Sequence, residues 1–458
     1  MKSKPIEELR ARFRGEILTR EDAGYDSARR VYNAMIDKRP RWIARCSDVA
    51  DVIAAVQFAA GQDLPVSVRS GGHNGAGLGI CDDGLAIDLS PLKERRVDLK
   101  ARTVRVGGGC VWGEVDHATH AFGMAAPCGI ISTTGVGGLT LGGGIGYLSR
   151  KYGLTIDNLL EADVVLADGR MVTASSKENP DLFWALRGGG GNFGIVTSFL
   201  FRLHPVDTVF AGPTFWPMEQ SKDVLKAYQK FIAEAPEDVS GFFAYLVVPP
   251  APMFPAELHG KKMCGIVWCY TGPMEKAEAA LKPMRQFGKP AFDHVGPVPF
   301  PALNGIFDPI YPPGLQWYWK TDFFNTLGDD AIAVALDHAS RIPTGQSTIH
   351  LYSINGAVHR VKKDATAFGS RNSLFAGVIV GVDPDPANRG KITDWTRQYW
   401  EALHPFSTGE AYVNFMMDEG QERVRSMYGE NYDRLAKIKK KYDPTNFFRV
   451  NQNIKPAD

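Results

Sequence analysis

The sequence predicts an α+β fold built from two regions of different character. In the first region, up to about residue 205, short strands lead into glycine-rich turns, and 19 of the 48 glycines fall between Gly71 and Gly146. In the second region, amphipathic helices alternate with apolar strands, which is typical of an antiparallel sheet covered by helices on one face. The alternative is a single doubly wound parallel sheet.

The first region begins with a helix and continues as short strands. Ser47 is suited to cap a helix that Gly61 can end, and Asp181 is suited to cap a shorter helix before a glycine loop and a buried strand. Residues 162–175 read as a hairpin with an Asp-Gly turn. Other strands of this region are predicted at 65–70, 85–90 and 103–109.

The second region contains less glycine and longer elements. Amphipathic helices are predicted at 219–235, 273–287, 329–341, 386–403 and 420–441. Apolar strands are predicted between them at 242–248, 265–271, 316–324, 347–354 and 373–382.

Composition and charge exclude several classes of protein. With 44% hydrophobic and 22% charged residues, the chain has the composition of a globular protein. The net charge of +1 gives no electrostatic reason to expect nucleic acid or an anionic membrane as a partner. The six cysteines include no CxxC pair, which favours free thiols in a reducing cytoplasm over disulfides or a zinc site. The charged N-terminal segment lacks the apolar stretch of a signal peptide.

An uncharged tract extends from His117 to Ser149 and contains nine glycines. A membrane span needs about 20 consecutive apolar residues, and these glycines interrupt the tract too often for one. We interpret it as backbone packed closely against a ligand, since glycine lets main-chain N–H groups approach one. Tight turns in a β-rich domain would have the same composition. His117 and His120 lie one turn apart on a predicted helix without a third ligand, so no metal site is predicted.

The glycine loops match none of the common nucleotide-binding fingerprints. GGHNGAGLG (71–79) and GGGIGYLS (142–149) do not fit G-x-G-x-x-G between a strand and a helix, and no GxxxxGK[ST] sequence occurs. By spacing alone, these loops indicate only that backbone amides lie close to a polar or anionic group.

Four segments together carry a resemblance to a known family. They are VSVRSGGHN (66–74), residues 132–169 with GVGGLTLGGGIG, DLFWALRGGGGNFGIVT (181–197) and DPTNFFRVNQNI (443–454). This combination resembles the vanillyl-alcohol-oxidase-like, PCMH-type flavoproteins, in the branch similar to berberine bridge enzyme and 6-hydroxynicotine oxidase. The resemblance spans nearly the whole chain. It implies an FAD-binding domain at 1–205, an inserted α+β substrate domain at 206–407 and a C-terminal segment, 408–458, that returns to the first domain.

The resemblance also implies a set of FAD-binding residues. Backbone N–H groups of Ser70–Gly72 and of Gly142–Gly146 would hold the FAD diphosphate without a lysine. Uncharged residues at 129–138 would line the cofactor and exclude water. The implied FAD-binding residues are Arg69, Ser70, Gly71, Gly72, His73, Asn74, Gly77, Gly129, Thr133, Thr134, Gly137, Gly138, Gly142, Gly143, Gly144, Gly146, Tyr147, Asn158, Ile195, Val196, Tyr412 and Asn414.

His73 ends the RSGGH motif, and the resemblance implies a covalent bond from this histidine to the FAD. Some relatives carry a second bond through a cysteine just before the TVGVGG-like segment. In this sequence that position is Ile131, and Cys128 lies three residues earlier. We therefore predict one covalent bond, with Cys128 a buried free thiol.

The resemblance implies removal of a hydride from a C–H bond beside an alcohol or amine, with O₂ reduced to hydrogen peroxide. The tyrosine that many relatives use as the base is Phe415 here. On the strand 316–324, Tyr318 and Lys320 share one face because side chains alternate. Both are candidates for the catalytic proton acceptor, although a lysine that simply reaches solvent fits the pattern equally well. Tyr412 is a further candidate, and His359 is a weaker one.

Three functions stay open at this point. Small Gly129 favours an oxidase, because it leaves room for O₂, whereas Thr134 stands where oxidase relatives often have valine and keeps open a dehydrogenase with another electron acceptor. The missing hydroxyl at Phe415 is the one feature that favours a flavin-binding protein without turnover. The substrate is predicted to be a small molecule, and aromatic clusters suit a sugar, a phenolic or a heteroaromatic ring equally. The oligomeric state is not predicted.

Overall fold

The computed structural model describes residues 5–458. Two lobes pack together. The N-terminal lobe carries a four-stranded and a five-stranded sheet, and the central lobe carries one eight-stranded sheet. This confirms the α+β fold with an inserted antiparallel sheet. The doubly wound alternative is wrong, because parallel pairing between strands is confined to three neighbouring strands of the four-stranded sheet.

The four-stranded sheet begins at the short N-terminal strand. Its strand order is Glu16–Leu18, Trp42–Arg45, Leu85–Asp88 and Val66–Arg69. Helix Val49–Gly61 packs its apolar side chains with those of this sheet. Asp48, rather than Ser47, caps this helix, because the extended backbone at Asp48 lets its carboxylate accept the N–H of Asp51.

The five-stranded sheet is antiparallel throughout and contains the predicted hairpin. Its strand order is Arg95–Asp98, Thr103–Gly107, Ile195–Arg202, Leu159–Val165 and Met171–Ser175. A two-stranded pair, Met124–Ala125 with His204–Pro205, lies beside it. The remaining helices of this lobe are Pro5–Arg10, Tyr25–Ala28, Trp112–His120, Val136–Leu141, Ser149–Tyr152 and Pro180–Leu186, the last preceded by Asn179 rather than capped by Asp181.

The eight-stranded sheet has one face covered by helices. The sheet runs in the order Phe292–Asp293, Thr208–Pro217, Lys262–Tyr270, Val239–Val247, Thr348–Ser353, Phe375–Asp383 and Gln316–Phe324, with Gly296–Pro299 also paired to Thr208–Pro217. The covering helices, whose apolar side chains share one core with that face, are Ser221–Glu234, Ala277–Arg285, Asp329–Ser340 and Arg389–Leu403. Short helices Phe300–Asn304 and Ala357–Arg360 lie between strands. Strand Thr208–Pro217 was not predicted.

The C-terminal segment packs against the N-terminal lobe. The predicted helix at 420–441 is two helices, Gly420–Tyr428 and Tyr432–Tyr442, separated by Gly429 with φ of 48°. Phe447 and Phe448 belong to the apolar core of the four-stranded sheet. Buried Lys439 donates to the carbonyl of Asn192 and pairs with Asp443. The C-terminal segment is therefore part of the N-terminal lobe. The domain limits near 205 and 407 stay predictions.

Among residues 5–458, no helix has both the length and the apolar character needed to cross a membrane.

Candidate active site

A cavity of about 320 Å³ lies between the two lobes. Its walls come from the glycine loops of the N-terminal lobe, from the uncovered face of the eight-stranded sheet and from residues 448–452 near the C-terminus. Fourteen of the predicted cofactor residues line it, namely Arg69, Ser70, Gly71, Gly72, His73, Asn74, Gly129, Thr134, Gly137, Gly138, Ile195, Val196, Tyr412 and Asn414.

The loop after strand Val66–Arg69 brings unpaired backbone donors to this cavity. The N–H groups of residues 71–74 have no acceptor within residues 5–458. Gly71 touches a second glycine loop so closely that a Cβ atom would lie 2.4 Å from the nitrogen of Gly135. Gly72 has φ of 72°, which favours glycine. Consecutive free amides of this kind form a site for an anionic group.

Two polar residues of this loop, Arg69 and Asn74, use their side chains to hold the loop in place and not to contact a ligand. The Arg69 guanidinium pairs with buried Asp88, so its charge is neutralised within the protein. The side chain of Asn74 accepts the N–H of Leu78, and its carbonyl accepts the N–H of Gly77. Gly77 itself lies against Ile36 and does not line the cavity, so its contact with the cofactor stays a prediction.

The prediction that the backbone N–H groups of the loop 142–146 hold the diphosphate is wrong. Its backbone N–H groups donate to Gly138, Thr140, the hydroxyl of Tyr412 and the side chain of Ser149. Gly142, Gly143, Gly144 and Gly146 do not line the cavity. These glycines instead allow close internal packing, since a Cβ at Gly142 would lie 2.1 Å from the Asn414 side chain. No amide of this loop is left for a diphosphate.

Three further predicted cofactor residues lie outside the cavity lining. Tyr147 is buried against Phe242 in the core between the lobes. The Asn158 amide donates to two backbone carbonyls, and its oxygen contacts His204. Thr133 precedes the cavity-lining Thr134. Tyr147 and Asn158 are thus buried within the protein, whereas Thr133 is half-buried beside the cavity.

His73 faces the cavity and is held by two neighbours. Its ring stacks on Tyr32 with centroids 3.9 Å apart, and its Nδ1 lies 3.5 Å from the Thr134 hydroxyl. Burial lowers the pKa of His73 to about 4, so the imidazole is neutral at pH 7. A neutral imidazole keeps one nitrogen lone pair available for bond formation.

Cys128 is buried outside the cavity, whereas Ile131 lines it. The Cys128 thiol accepts a hydrogen bond from the Asn304 amide, and burial raises its pKa well above the ordinary value. A thiol held protonated in this way is a poor nucleophile.

Lys320 and Tyr318 do share one face of strand Gln316–Phe324, but it is the face covered by helices. The Lys320 ammonium lies 2.6 Å from the carboxylate of Glu419, and the Tyr318 hydroxyl accepts a bond from Arg397. The opposite face presents Trp317 and Trp319 to the cavity. Neither predicted residue can reach a substrate there, so both are wrong as proton acceptors.

Tyr412 lines the cavity, and its hydroxyl oxygen faces three hydrogen-bond donors. The hydroxyl oxygen accepts the N–H groups of Gly144 and Ile145 at 2.9 and 3.3 Å and the side-chain amide of Asn414 at 2.9 Å. Tyr412 therefore fixes the glycine loop, and its role as a proton acceptor stays a prediction. His359 contacts the carbonyl of Ser373 and does not line the cavity.

Sequence reasoning missed the residues of the central lobe that do face the cavity. Thr348, His350 and Tyr352 occupy alternate positions of one strand, and all three line the cavity. The alternation of these residues with Ile349 and Leu351 was the signal that could have found them. The other aromatic residues of this lobe that line the cavity are Phe307, Tyr311, Trp317 and Trp319, and Tyr32 and Phe415 line it from other parts of the chain.

The cavity suits the FAD that the sequence implies. Free amides at 71–74 can bind a diphosphate, and the contact of Gly71 with Gly135 leaves no room for side chains that would cover them. The remaining walls are mainly apolar and aromatic, which suits a flavin ring. Among residues 5–458 no group of three or more His, Cys, Asp or Glu side chains is arranged to hold a metal ion.

Comparison with known proteins agrees with this site. Family models described as "FAD binding domain" and "Berberine and berberine like" match residues 40–175 and 411–455. An FAD-linked oxidoreductase of Dictyostelium discoideum is 33% identical over 429 residues, which are 93% of this chain and 91% of the relative. The (R)-6-hydroxynicotine oxidase of Paenarthrobacter nicotinovorans is 29% identical over 456 residues, 97% of each chain.

Two solved structures have the same fold over their whole length. BBE-like 1 of Physcomitrella patens superposes with a TM-score of 0.89 at 25% identity, covering 100% of both chains. The xylooligosaccharide oxidase of Myceliophthora thermophila C1 gives 0.87 at 25% identity, covering 99% of both. Together with 33% identity to a full-length relative, these matches show that the chain belongs to the PCMH-type FAD-linked oxidoreductases of the berberine bridge enzyme-like branch.

Proposed function

We propose that the protein is an FAD-dependent oxidase that removes a hydride from a C–H bond beside a hydroxyl or amino group and reduces O₂ to hydrogen peroxide. The observation that carries this proposal is the cavity between the lobes, in which the glycine loops of the N-terminal lobe face the aromatic wall of the central lobe. A molecule held on that wall lies against whatever the loops bind. Relatives named 6-hydroxynicotine oxidase and xylooligosaccharide oxidase support oxidase chemistry.

Some residues of the cavity would bind the cofactor, and others would exclude water. The free N–H groups of residues 71–74 would bind the diphosphate, and Gly137, Gly138, Ile195 and Val196 would line the cofactor. FAD, when bound, supplies the hydride acceptor. The aromatic side chains of the opposite wall exclude water and hold the substrate.

We also propose that His73 carries the FAD covalently and alone. Its imidazole is neutral, faces the cavity and is held by Tyr32 and Thr134. Ile131 cannot form a thioether, and Cys128 is buried away from the cavity. The six free, buried cysteines also fit a cytoplasmic location.

A panel of alcohols and amines, read by peroxide formation, tests the function. We expect at least one compound to bleach the flavin and to yield one peroxide per molecule oxidised. Absence of bleaching by every compound would leave a flavin-binding protein without turnover.

A dehydrogenase is the second candidate, because the hydroxyl of Thr134 lines the cavity where oxidase relatives often have valine. Comparing reoxidation of the reduced enzyme by air with reoxidation by a quinone dye separates the two. Rapid reoxidation by air supports the oxidase, and reoxidation by the dye alone supports the dehydrogenase.

A further inference from the structure

The wall that the central lobe contributes to the cavity carries no formal charge. Among the described residues that line the cavity, Arg69 is the one Asp, Glu, Lys or Arg, and it belongs to the other lobe and is paired with Asp88. Any group that takes up a substrate proton in this cavity must therefore be a neutral side chain.

Most hydroxyl groups on the aromatic side of the cavity already donate a hydrogen bond to a backbone carbonyl. Tyr32 donates to the carbonyl of Tyr311, Tyr311 donates to the carbonyl of Gln346, and Thr348 donates to the carbonyl of Tyr245. The indole nitrogens of the two cavity tryptophans are donors and cannot accept a proton.

His350 is the exception. Its Nδ1 lies 2.6 Å from the hydroxyl of Tyr352, two residues along the same strand. Its Nε2 has no hydrogen-bond partner among residues 5–458, and the residue is partly exposed at the cavity wall. With the ring proton on Nδ1, donated to the Tyr352 oxygen, the imidazole is anchored through that nitrogen and Nε2 keeps a free lone pair.

We propose that His350 accepts, through Nε2, the hydroxyl proton of a neutral alcohol substrate, and that Tyr352 is a positioning residue that holds the imidazole through Nδ1. This inference rests on the proposed oxidase function and names the substrate class of the same cavity.

The step balances without a further reactant. With FAD bound, the C–H bond of the alcohol would break with its hydride going to the flavin, the O–H bond would break with its proton going to His350, and the carbon–oxygen double bond would form. The Nδ1–H of the resulting imidazolium then donates to the oxygen of Tyr352. O₂ later takes the two electrons with two protons, so that alcohol and O₂ give a carbonyl compound and hydrogen peroxide.

The same wall discriminates against amines. An aliphatic amine is a cation at neutral pH, and an unpaired cation is costly in a cavity whose lining offers it no carboxylate. Burial lowers the pKa of His350 to about 3, so this imidazole is neutral at pH 7 and adds no charge to the wall. Trp317, Trp319 and Phe415 offer flat apolar surfaces to a ring on the substrate.

The test uses the holoenzyme and a pair of compounds with one carbon skeleton, 1-phenylethanol and 1-phenylethylamine, beside the wider panel. Anaerobic flavin reduction is followed in wild type, His350→Gln and Tyr352→Phe. With the fastest alcohol, we expect His350→Gln to slow reduction about 100-fold or more, as removal of a general base does, and Tyr352→Phe to slow it about tenfold. His359→Gln, which changes an exposed histidine bonded to a backbone carbonyl outside the cavity, is the control and should stay within threefold.

A second readout does not depend on turnover. In protein labelled with ¹⁵N-histidine, the signals lost in His350→Gln identify His350. We expect them to show a neutral imidazole down to about pH 5, and Tyr352→Phe to change the balance of its two tautomers. A His350 that is protonated at pH 7 would overturn the assignment.

The remaining outcomes separate this inference from the oxidase function. Flavin reduction by amines but by no alcohol overturns the substrate class and leaves the oxidase intact. If His350→Gln slows flavin reduction by less than threefold, the substrate proton goes to solvent and the proposed role of His350 is overturned. If no compound of the panel reduces the flavin, the oxidase proposal fails together with this inference.

Discussion

Replacing Lys320 by methionine should destabilise the protein but leave flavin reduction unchanged. The Lys320 ammonium lies 2.6 Å from the Glu419 carboxylate, and both side chains are about nine-tenths buried. At that distance the attraction amounts to about 6 kcal/mol for an effective dielectric constant of about 20, although desolvation offsets much of it. Removal of one partner of a buried pair costs about 3–5 kcal/mol, because the other charge is left unpaired. Arg423 lies 3.9 Å from the same carboxylate and compensates in part, so we expect about 3 kcal/mol.

The assay combines urea unfolding with anaerobic flavin reduction. We expect Lys320→Met to lower the urea midpoint while the reduction rate stays within threefold of wild type. The double variant Lys320→Met/Glu419→Gln, which removes both charges, should recover most of the stability. Slowing of flavin reduction by 100-fold with an unchanged urea midpoint would return Lys320 to the role of proton acceptor and refute the assignment of its face of the sheet.

Three further predictions concern the framework of the site. Gly71→Ala should abolish FAD retention, since the new Cβ would lie 2.4 Å from the Gly135 nitrogen, while Gly61→Ala, whose Cβ would meet nothing within 4 Å, should retain FAD; both are read by flavin absorbance of the purified protein. Arg150→Met should cost at least about 3 kcal/mol in urea unfolding, because its buried guanidinium donates to four backbone carbonyls at and beyond the end of helix Ser221–Glu234. Burial raises the pKa of Asp116 from 3.8 to about 7, so the folded state holds this proton more tightly than the unfolded one and stability falls as pH rises from about 4 to about 7, by up to about 4 kcal/mol. The Asp116→Asn variant should lose that part of the pH dependence, and an unchanged profile would contradict it.

Local pattern and the four family segments were sufficient to predict the fold class. The strand at 316–324 and the hairpin at 162–175 follow from alternation and from an Asp-Gly turn, both of which are local properties. Strand Thr208–Pro217 was missed because its two prolines and one glycine read as a loop, yet it pairs along its length with Lys262–Tyr270. Its tertiary pairing outweighs its local propensity.

The site was harder to predict because alternation identifies a shared face but not what that face meets. Tyr318 and Lys320 do lie together, and helix Arg389–Leu403 covers them, whereas the tryptophans between them reach the cavity. Glycine content was ambiguous in the same way. The loop 71–74 leaves its amides free, whereas the loop 142–146 uses its amides within the protein. Only the arrangement in space separates these two uses of glycine.

The covalent state of the flavin tests the central claim most directly, because it depends on FAD lying in this cavity against His73. The purified protein is denatured in acid, and the flavin in the precipitate is compared with the flavin in the supernatant for wild type and His73→Ala. We predict a yellow precipitate for wild type and complete release of flavin from His73→Ala. Release of the flavin from wild type would contradict the link, and flavin retained by the His73→Ala precipitate would show a second attachment, with Cys128 the first residue to examine.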